Sequence, residues 1–433
     1  MSTSMVDWTV ALSTATRLVK SGPEISSQGA AAAVADLRVC AVRAEEYVQQ
    51  VTGLAVPRGT APVLVVDRPR WIEANIEGFR QVLAPLSAKL SAAGSPAEEA
   101  VEGVSFDSDP DSDPDSETGS RIKTPNAALA GIGARLTGVE VGALLSYLAP
   151  KVLGQFDPFY PELTPAEPAD PADNSTDSTA SADLPPGGRL LLVAPNIVAV
   201  ERELELVPAD FRLWVCLHEE THRVQFTAVP WLRGYLNSQI AEVVATAEVD
   251  AGALAAMLRD AIKRLAGAAR GDSEVSIIDL VQTPEQREII ERITAVMSLL
   301  EGHADVVMDS VGPEVIGTIA EIRRRFTVRR QGRGFDKVIR RLLGLDAKMR
   351  QYRDGAAFCK AVIAEVGMDG LNRVWTSPET LPTMAEISDP QLWLARMDSQ
   401  TSHPELAGAD AALAGSADSA ETPEAGEPTE SDS

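Results

Sequence analysis

Apolar residues recur at three- and four-residue intervals along most of this chain, the period of a helix with one buried face. In order, the spacing predicts helices over Asp7–Lys20, Ser27–Thr52, Arg68–Ala92 and Thr124–Leu153. The second is rich in Ala and Val and is stopped by Gly53. The third opens with Pro69-Arg-Trp71 and then carries Ile72, Ile76, Phe79, Val82 and Leu83 at helical spacing. The fourth has small residues that allow close helix packing, and Gln155-Phe-Asp-Pro-Phe-Tyr160 reads as an exit turn. Arg189–Ala194 is the clearest strand. No Gly or Pro interrupts Phe211–Ala228, which predicts a helix with apolar residues on most sides. Thr283-Pro284-Glu285-Gln286 opens another, with an N-cap, a Pro at the first helical position and a capping-box Gln; Gly312-Pro313 stops it. Lys348–Val366 predicts a further helix, and Leu371–Arg396 winds around Trp375 and Trp393 to close the core. The pattern is that of a mainly α (α+β) protein with a small β-sheet and many packed helices.

Charge changes this picture less than its total suggests. The chain of 433 residues has a net charge of -24. Ser95–Ser120, Pro161–Gly187 and Ser402–Ser433 contain nine, six and eight acidic residues and no Lys or Arg. They hold 23 of the 63 acidic residues, which leaves 40 against 39 basic ones in the rest. These stretches have the composition of disordered spacers. The Asp-Ser-Asp-Pro run at Asp107–Ser116 lacks the Gly and the terminal Glu of a calcium loop. A basic run, Arg323–Arg341, has few aromatics and no recognisable binding module, so pairing within the protein or a solvated face is expected and nucleic-acid binding is not.

Cys40, Cys216 and Cys359 form no Cys-x-x-Cys pair and predict free buried thiols in a reducing compartment. The first twenty residues lack the charged start and apolar core of a signal peptide, and no apolar stretch reaches membrane-spanning length. A cytoplasmic protein without membrane contact is expected.

The chemistry concentrates in His218-Glu219-Glu220-Thr221-His222, which holds two of the four histidines in the chain. Residues four apart on a helix share a face, so both imidazoles can reach one Zn²⁺. Glu219 sits beside that face, where a carboxylate can take a proton from a metal-bound water. The competing reading is a surface helix with two histidines, but Leu213, Trp214, Val215, Leu217, Val224 and Phe226 would bury it. The metzincin extension with Gly and a third His fails, because Gln225 stands at the Gly position.

A zinc site needs a third protein ligand. Two candidates lie in the later helix, Glu301 and His303, two residues apart and therefore on different faces. Glu301 and Asp305 are four apart, and this Glu-x-x-x-Asp pair resembles the gluzincin arrangement. That resemblance implies Glu301 as the third ligand and Asp305 as acceptor of the outer N–H of a zinc histidine, the bond that fixes an imidazole's tautomer. His303 would then line the cleft as an oxyanion donor, or be a satisfied core histidine. Tyr352 is a further candidate for steadying the tetrahedral intermediate.

The run Arg189–Asn196, Trp214–Phe226, Leu300–Asp305, Leu345–Tyr352 and Trp375–Pro382, with Asp7-Trp8 and Gly22-Pro23, resembles zincin-like metallopeptidases, including hydrolases and a subgroup associated with coenzyme F420 biosynthesis. The resemblance covers most of the chain outside its polar insertions. It implies a zincin-like metalloprotease core and a hydrolase label, with no substrate attached. It also makes Arg189–Ala194 the edge strand that pairs with an extended substrate, against the alternative of an ordinary buried strand.

The expected organisation is a helical region over 1–94, a disordered acidic insertion over 95–121, a helical region over 122–160, a second insertion over 161–187, the zincin-like catalytic region over 188–400 and an acidic tail over 401–433. The expected chemistry is metal-assisted hydrolysis of a peptide or amide. Zn²⁺ on His218, His222 and Glu301 acidifies its water to a pKa of about 7 and polarises the scissile carbonyl, while Glu219 takes the proton and returns it to the leaving group. A catalytically silent zinc-binding protein is the alternative.

Overall fold

The computed structural model describes residues 6–57, 61–84, 125–158, 160, 187–246, 283–332 and 349–402. The acidic stretches 95–121, 161–186 and 403–433 lie outside the described residues, as does the basic run beyond residue 332. Twelve α-helices and one three-stranded sheet make up the described part, a mainly α (α+β) architecture.

Local capping sets the first elements. Helix α1 (Trp8–Leu18) starts where the Asp7 carboxylate accepts from the amides of Thr9 and Val10 at 3.1 and 3.0 Å. Helix α2 (Ser27–Thr52) has the predicted span; Ser26 caps it, and Gly53 ends it at φ 70°, a conformation that favours a residue without Cβ. Strand β1 (Val63–Val66) leads into α3 (Arg68–Val82), capped by Asp67, and α4 (Pro125–Leu148) leads into β2 (Gly154–Asp157). Part of the expected exit turn is therefore a strand.

Strand β3 (Arg189–Val193) runs directly into α5 (Ala194–Glu203). Then follow α6 (Pro208–Ala228), α7 (Pro230–Thr246), α8 (Pro284–Val315), α9 (Ile319–Gly332) and α10 (Met349–Leu371). Two short 3₁₀ turns at Asn372–Trp375 and Pro378–Thr380 lead to α11 (Met384–Ser388) and α12 (Pro390–Ser402). Thr283 caps α8 by accepting from the Gln286 amide at 3.2 Å, and α8 bends sharply at Gly312 (φ 71°), where the Gly-Pro stop was expected.

The sheet order is β1-β3-β2, with β1 parallel and β2 antiparallel to β3. The register places Leu190 opposite Val63 on one side and Phe156 on the other. Of the two readings of Arg189–Ala194, this excludes the edge strand and bears out the ordinary buried one. Both sides of β3 are hydrogen-bonded, and all five of its residues are buried, as a strand covered on both faces must be. Among the described residues, the edge strand beside α6 is β2.

Side chains alternate across a strand, and β3 accordingly feeds three apolar clusters. Leu190 packs with Phe358, Leu299 and Trp393; Leu192 packs with Leu37, Phe211, Leu217 and Val307; Leu191 and Val193 pack with Trp71, Ile72 and Leu145. Each fully buried leucine contributes roughly 1.5–3 kcal/mol. Buried polar groups tie the elements together. Arg212 on α6 donates to both carboxylate oxygens of Glu201 on α5 at 3.0 and 2.8 Å and to Asp36 on α2 at 2.7 Å. Asn196 accepts from Arg68 and donates to the carbonyls of Ala149 and Val152, fastening α5 to α3 and to the turn after α4.

Helices α8 and α10 cross at two glycines. A Cβ on Gly302 would lie 2.5 Å from Ala356 N and Gly355 O, and one on Gly355 would collide with the Ser298 carbonyl. The crossing lies one residue from Glu301.

Candidate metal centre

Helix α6 is buried along most of its length, so its phase is fixed by packing. Phe211, Cys216, Leu217 and Val224 enter the core, and the Cys216 thiol reaches the Leu37 carbonyl at 3.8 Å, away from the metal face. That leaves His218 and His222 on the remaining stripe, with ring centroids 4.8 Å apart and planes 85° to each other. Helix α8 crosses here and places Glu301 opposite both rings. The carboxylate oxygens lie 3.8 Å from His218 Nε2 and 3.6 Å from His222 Nε2.

These donor atoms all lie within 4.8 Å of one another. Ligands held tetrahedrally about 2.0–2.1 Å from a zinc ion sit roughly 3.3–3.4 Å apart. The carboxylate–imidazole distances come within a few tenths of an ångström of that and exceed a good hydrogen bond. Two imidazoles and one carboxylate, half-buried and converging, thus fit a divalent ion of the zinc type. Of the two candidate third ligands, the structure brings Glu301 to the histidines.

Glu219 is 8% exposed. Burial pushes its carboxyl up to about 8, and the neighbouring Glu301 and Glu220 carboxylates add to the shift. Strand β2 lies against it: a Cβ on Gly154 would meet Glu219 Cγ at 2.5 Å and Oε1 at 2.8 Å. Phe156 of β2 stacks on Phe226 of α6 at 5.3 Å and holds the strand there. Glu220, the second glutamate of the motif, points elsewhere. It receives Arg223 Nε at 2.5 Å, and Arg223 also pairs with Glu45 of α2 at 2.7 Å.

The other predicted residues fall as follows. His303 is fully buried behind the ligands, with its ring edge-on to Trp375 at 5.6 Å. Its Nδ1 lies 2.9 Å from Gln225 Nε2; burial, with help from His222, pushes the ring down to about 4, so it stays neutral. It does not line a cleft, so the oxyanion-donor role has no support in its position. Asp305 follows Glu301 by one turn and is exposed. The outer nitrogen of His222, Nδ1, goes to Gln225 Oε1 at 3.0 Å. Tyr352 is on α10, three residues before the crossing at Gly355; its side chain lies outside the described residues.

Gln225 and Gly154 were not singled out as site residues by the sequence reasoning. The three-residue step from His222 to Gln225 places both on one helix face and was the available signal. Gly154 meets Glu219 only through strand pairing across distant parts of the chain, which no local pattern reveals.

Elsewhere, the described arginines of the basic run pair within the protein. Arg323 pairs with Asp309 at 2.5 Å, Arg324 with Glu321 at 2.6 Å and Arg329 with Glu203 at 3.3 Å. The three cysteines are free and buried. A cavity of about 880 Å³ lies along β1 between α2 and α3 and contains none of the metal-centre residues.

A profile of zincin-like metallopeptidases matches residues 6–394. The chain belongs to the zincin-like metallopeptidase family. Among solved structures, this zincin-like protein is similar to the crystal structure of a “putative hydrolase with a novel fold” from Chloroflexus aurantiacus. That similarity is 30% identity with a TM-score of 0.59, over 91% of this chain and 99% of the other. A comparison with curated proteins gives no match. Family and neighbour together support hydrolase chemistry, and the family implies a metal, usually zinc. No helix among the described residues of the zincin-like chain is long and apolar enough to cross a membrane.

Proposed function

We propose that this zincin-like protein is a zinc-dependent hydrolase of the gluzincin type that cleaves a peptide or amide bond. The observation that carries the reading is the convergence of His218, His222 and Glu301 beside a buried Glu219. A bound divalent ion supplies Lewis acidity and makes a coordinated water acidic near neutral pH. The two imidazoles and Glu301 would hold that ion. Glu219 is the general base: its carboxylate accepts a proton from the attacking water and later delivers it to the leaving nitrogen. Burial that raises the Glu219 carboxyl to about 8 suits it to hold a proton between these steps. Strand β2 is the outermost strand on its side of the sheet among the described residues and lies against Glu219, which suits it to receive an extended substrate as a further strand.

Metal analysis of the purified protein, followed by a peptide-library cleavage screen with Glu219→Gln as control, tests the proposal. The expected result is about one zinc per chain in both proteins, with hydrolysis lowered in the variant by roughly 10²–10⁴-fold, the usual contribution of a general base. Undiminished cleavage by Glu219→Gln would remove Glu219 from the mechanism. A wild-type protein that binds zinc and cleaves nothing would be a silent zinc-binding protein.

A further inference from the structure

We infer that Gln225 is the positioning residue of the metal centre, holding His222 with its proton on Nδ1 and its lone pair on Nε2. The inference rests on the zinc reading above and deepens it. The Leu300 carbonyl can only accept, so the end of the Gln225 side chain 3.0 Å from it is the NH₂ group. The same NH₂ reaches His303 Nδ1 at 2.9 Å. The other end is then the amide oxygen, and it lies 3.0 Å from His222 Nδ1. An amide oxygen only accepts, so His222 Nδ1 carries the hydrogen. In the neutral ring, Nε2 is left with a free lone pair, and Nε2 is the atom 3.6 Å from Glu301.

Three features lock this arrangement. Gln225 is fully buried, so water does not compete for its amide. Turning the amide over would face its oxygen to the Leu300 carbonyl. His303 Nδ1, 2.9 Å from the amide nitrogen, takes the second N–H of the amide. The bond to Leu300 has a further effect, because Leu300 precedes Glu301 on α8. One buried amide therefore orients a ligand on α6 and is fastened to the backbone beside the ligand on α8.

The test uses the full-length protein and Zn²⁺ alone. Gln225→Met keeps the length of the side chain and removes its hydrogen bonds. Zinc affinity, measured by competition with a chromogenic chelator, is expected to fall 10–100-fold, the usual effect of losing a partner behind a metal ligand. Circular dichroism of the metal-free variant should match that of the wild type. Histidine ¹⁵N NMR of the metal-free wild type at alkaline pH, where imidazoles are neutral, should show His222 in the Nδ1–H form. Single His→Gln variants assign the four histidines. Unchanged zinc affinity in a folded Gln225→Met protein overturns the inference. So does a wild-type His222 protonated on Nε2, a readout that needs no variant. A wild-type protein that does not bind zinc overturns the metal reading, and the NMR result then still decides the tautomer.

Discussion

Replacing Gly302 by Ala sets two effects of opposite sign against each other. In a helix interior Ala is favoured over Gly by about 1 kcal/mol, so propensity alone predicts a more stable protein. The crossing of α8 and α10 predicts the reverse. The new methyl carbon would sit 2.5 Å from Ala356 N and Gly355 O, whereas ordinary contact begins at 3.4 Å. Both obstacles are backbone atoms, so no side chain can swing aside, and the helices must separate by about 1 Å. Overpacking of this kind costs about 1–3 kcal/mol. Separation also loosens the cluster of Leu299, Phe358 and Val362 that the crossing compresses. The expected balance is a loss of up to about 2 kcal/mol in urea denaturation. Because Gly302 adjoins Glu301, zinc affinity should fall as well. A Gly302→Ala protein at least as stable as the wild type, with equal zinc affinity, would refute the reasoning.

Two further outcomes follow from buried charges. Arg212→Met strands Glu201 in the interior and should destabilise by about 3–5 kcal/mol in the same denaturation assay, while Arg212→Met combined with Glu201→Leu should recover part of the loss. For Glu386, burial pushes the carboxyl up, but bonds from Arg396 and from the Thr383 amide outweigh it, and the folded value lies below 4.5. A group lowered on folding adds stability that is complete above its unfolded value and lost as pH falls through the folded one. Glu386→Gln should therefore flatten the acid side of a stability–pH profile and lower the plateau; an unchanged acid limb would refute this.

The elements legible in the sequence are those whose signals are local. Ser26 and Gly53 bound α2, Thr283 and Pro284 open α8, and the four-residue step between His218 and His222 needs only helical geometry. Glu301 could be singled out because Asp305 stands one turn after it, whereas the bond from His222 to Gln225 needed the fold to show which way both side chains turn. Strands β1 and β2 escaped because each is four residues long and acquires its partner only when β3 arrives, more than thirty residues away from β2 and more than a hundred from β1. The same cause left β3 open between two readings: a buried run looks alike at an edge and at the centre until its neighbours are known. His303 is a third case. From sequence it was a histidine two residues from a ligand, and only the fold turns it towards Gln225 and Trp375.

Strand β3 has a consequence for how the molecule can be taken apart. A fragment beginning at Gly188 would contain every candidate ligand, since His218, His222 and Glu301 all come later. It would also leave both rims of that strand bare and strip Leu191 and Val193 of Trp71, Ile72 and Leu145. Bare rims and uncovered apolar side chains invite self-association. The candidate ligands are thus encoded in the later part of the chain, while the strand that leads into them is covered only by the earlier part.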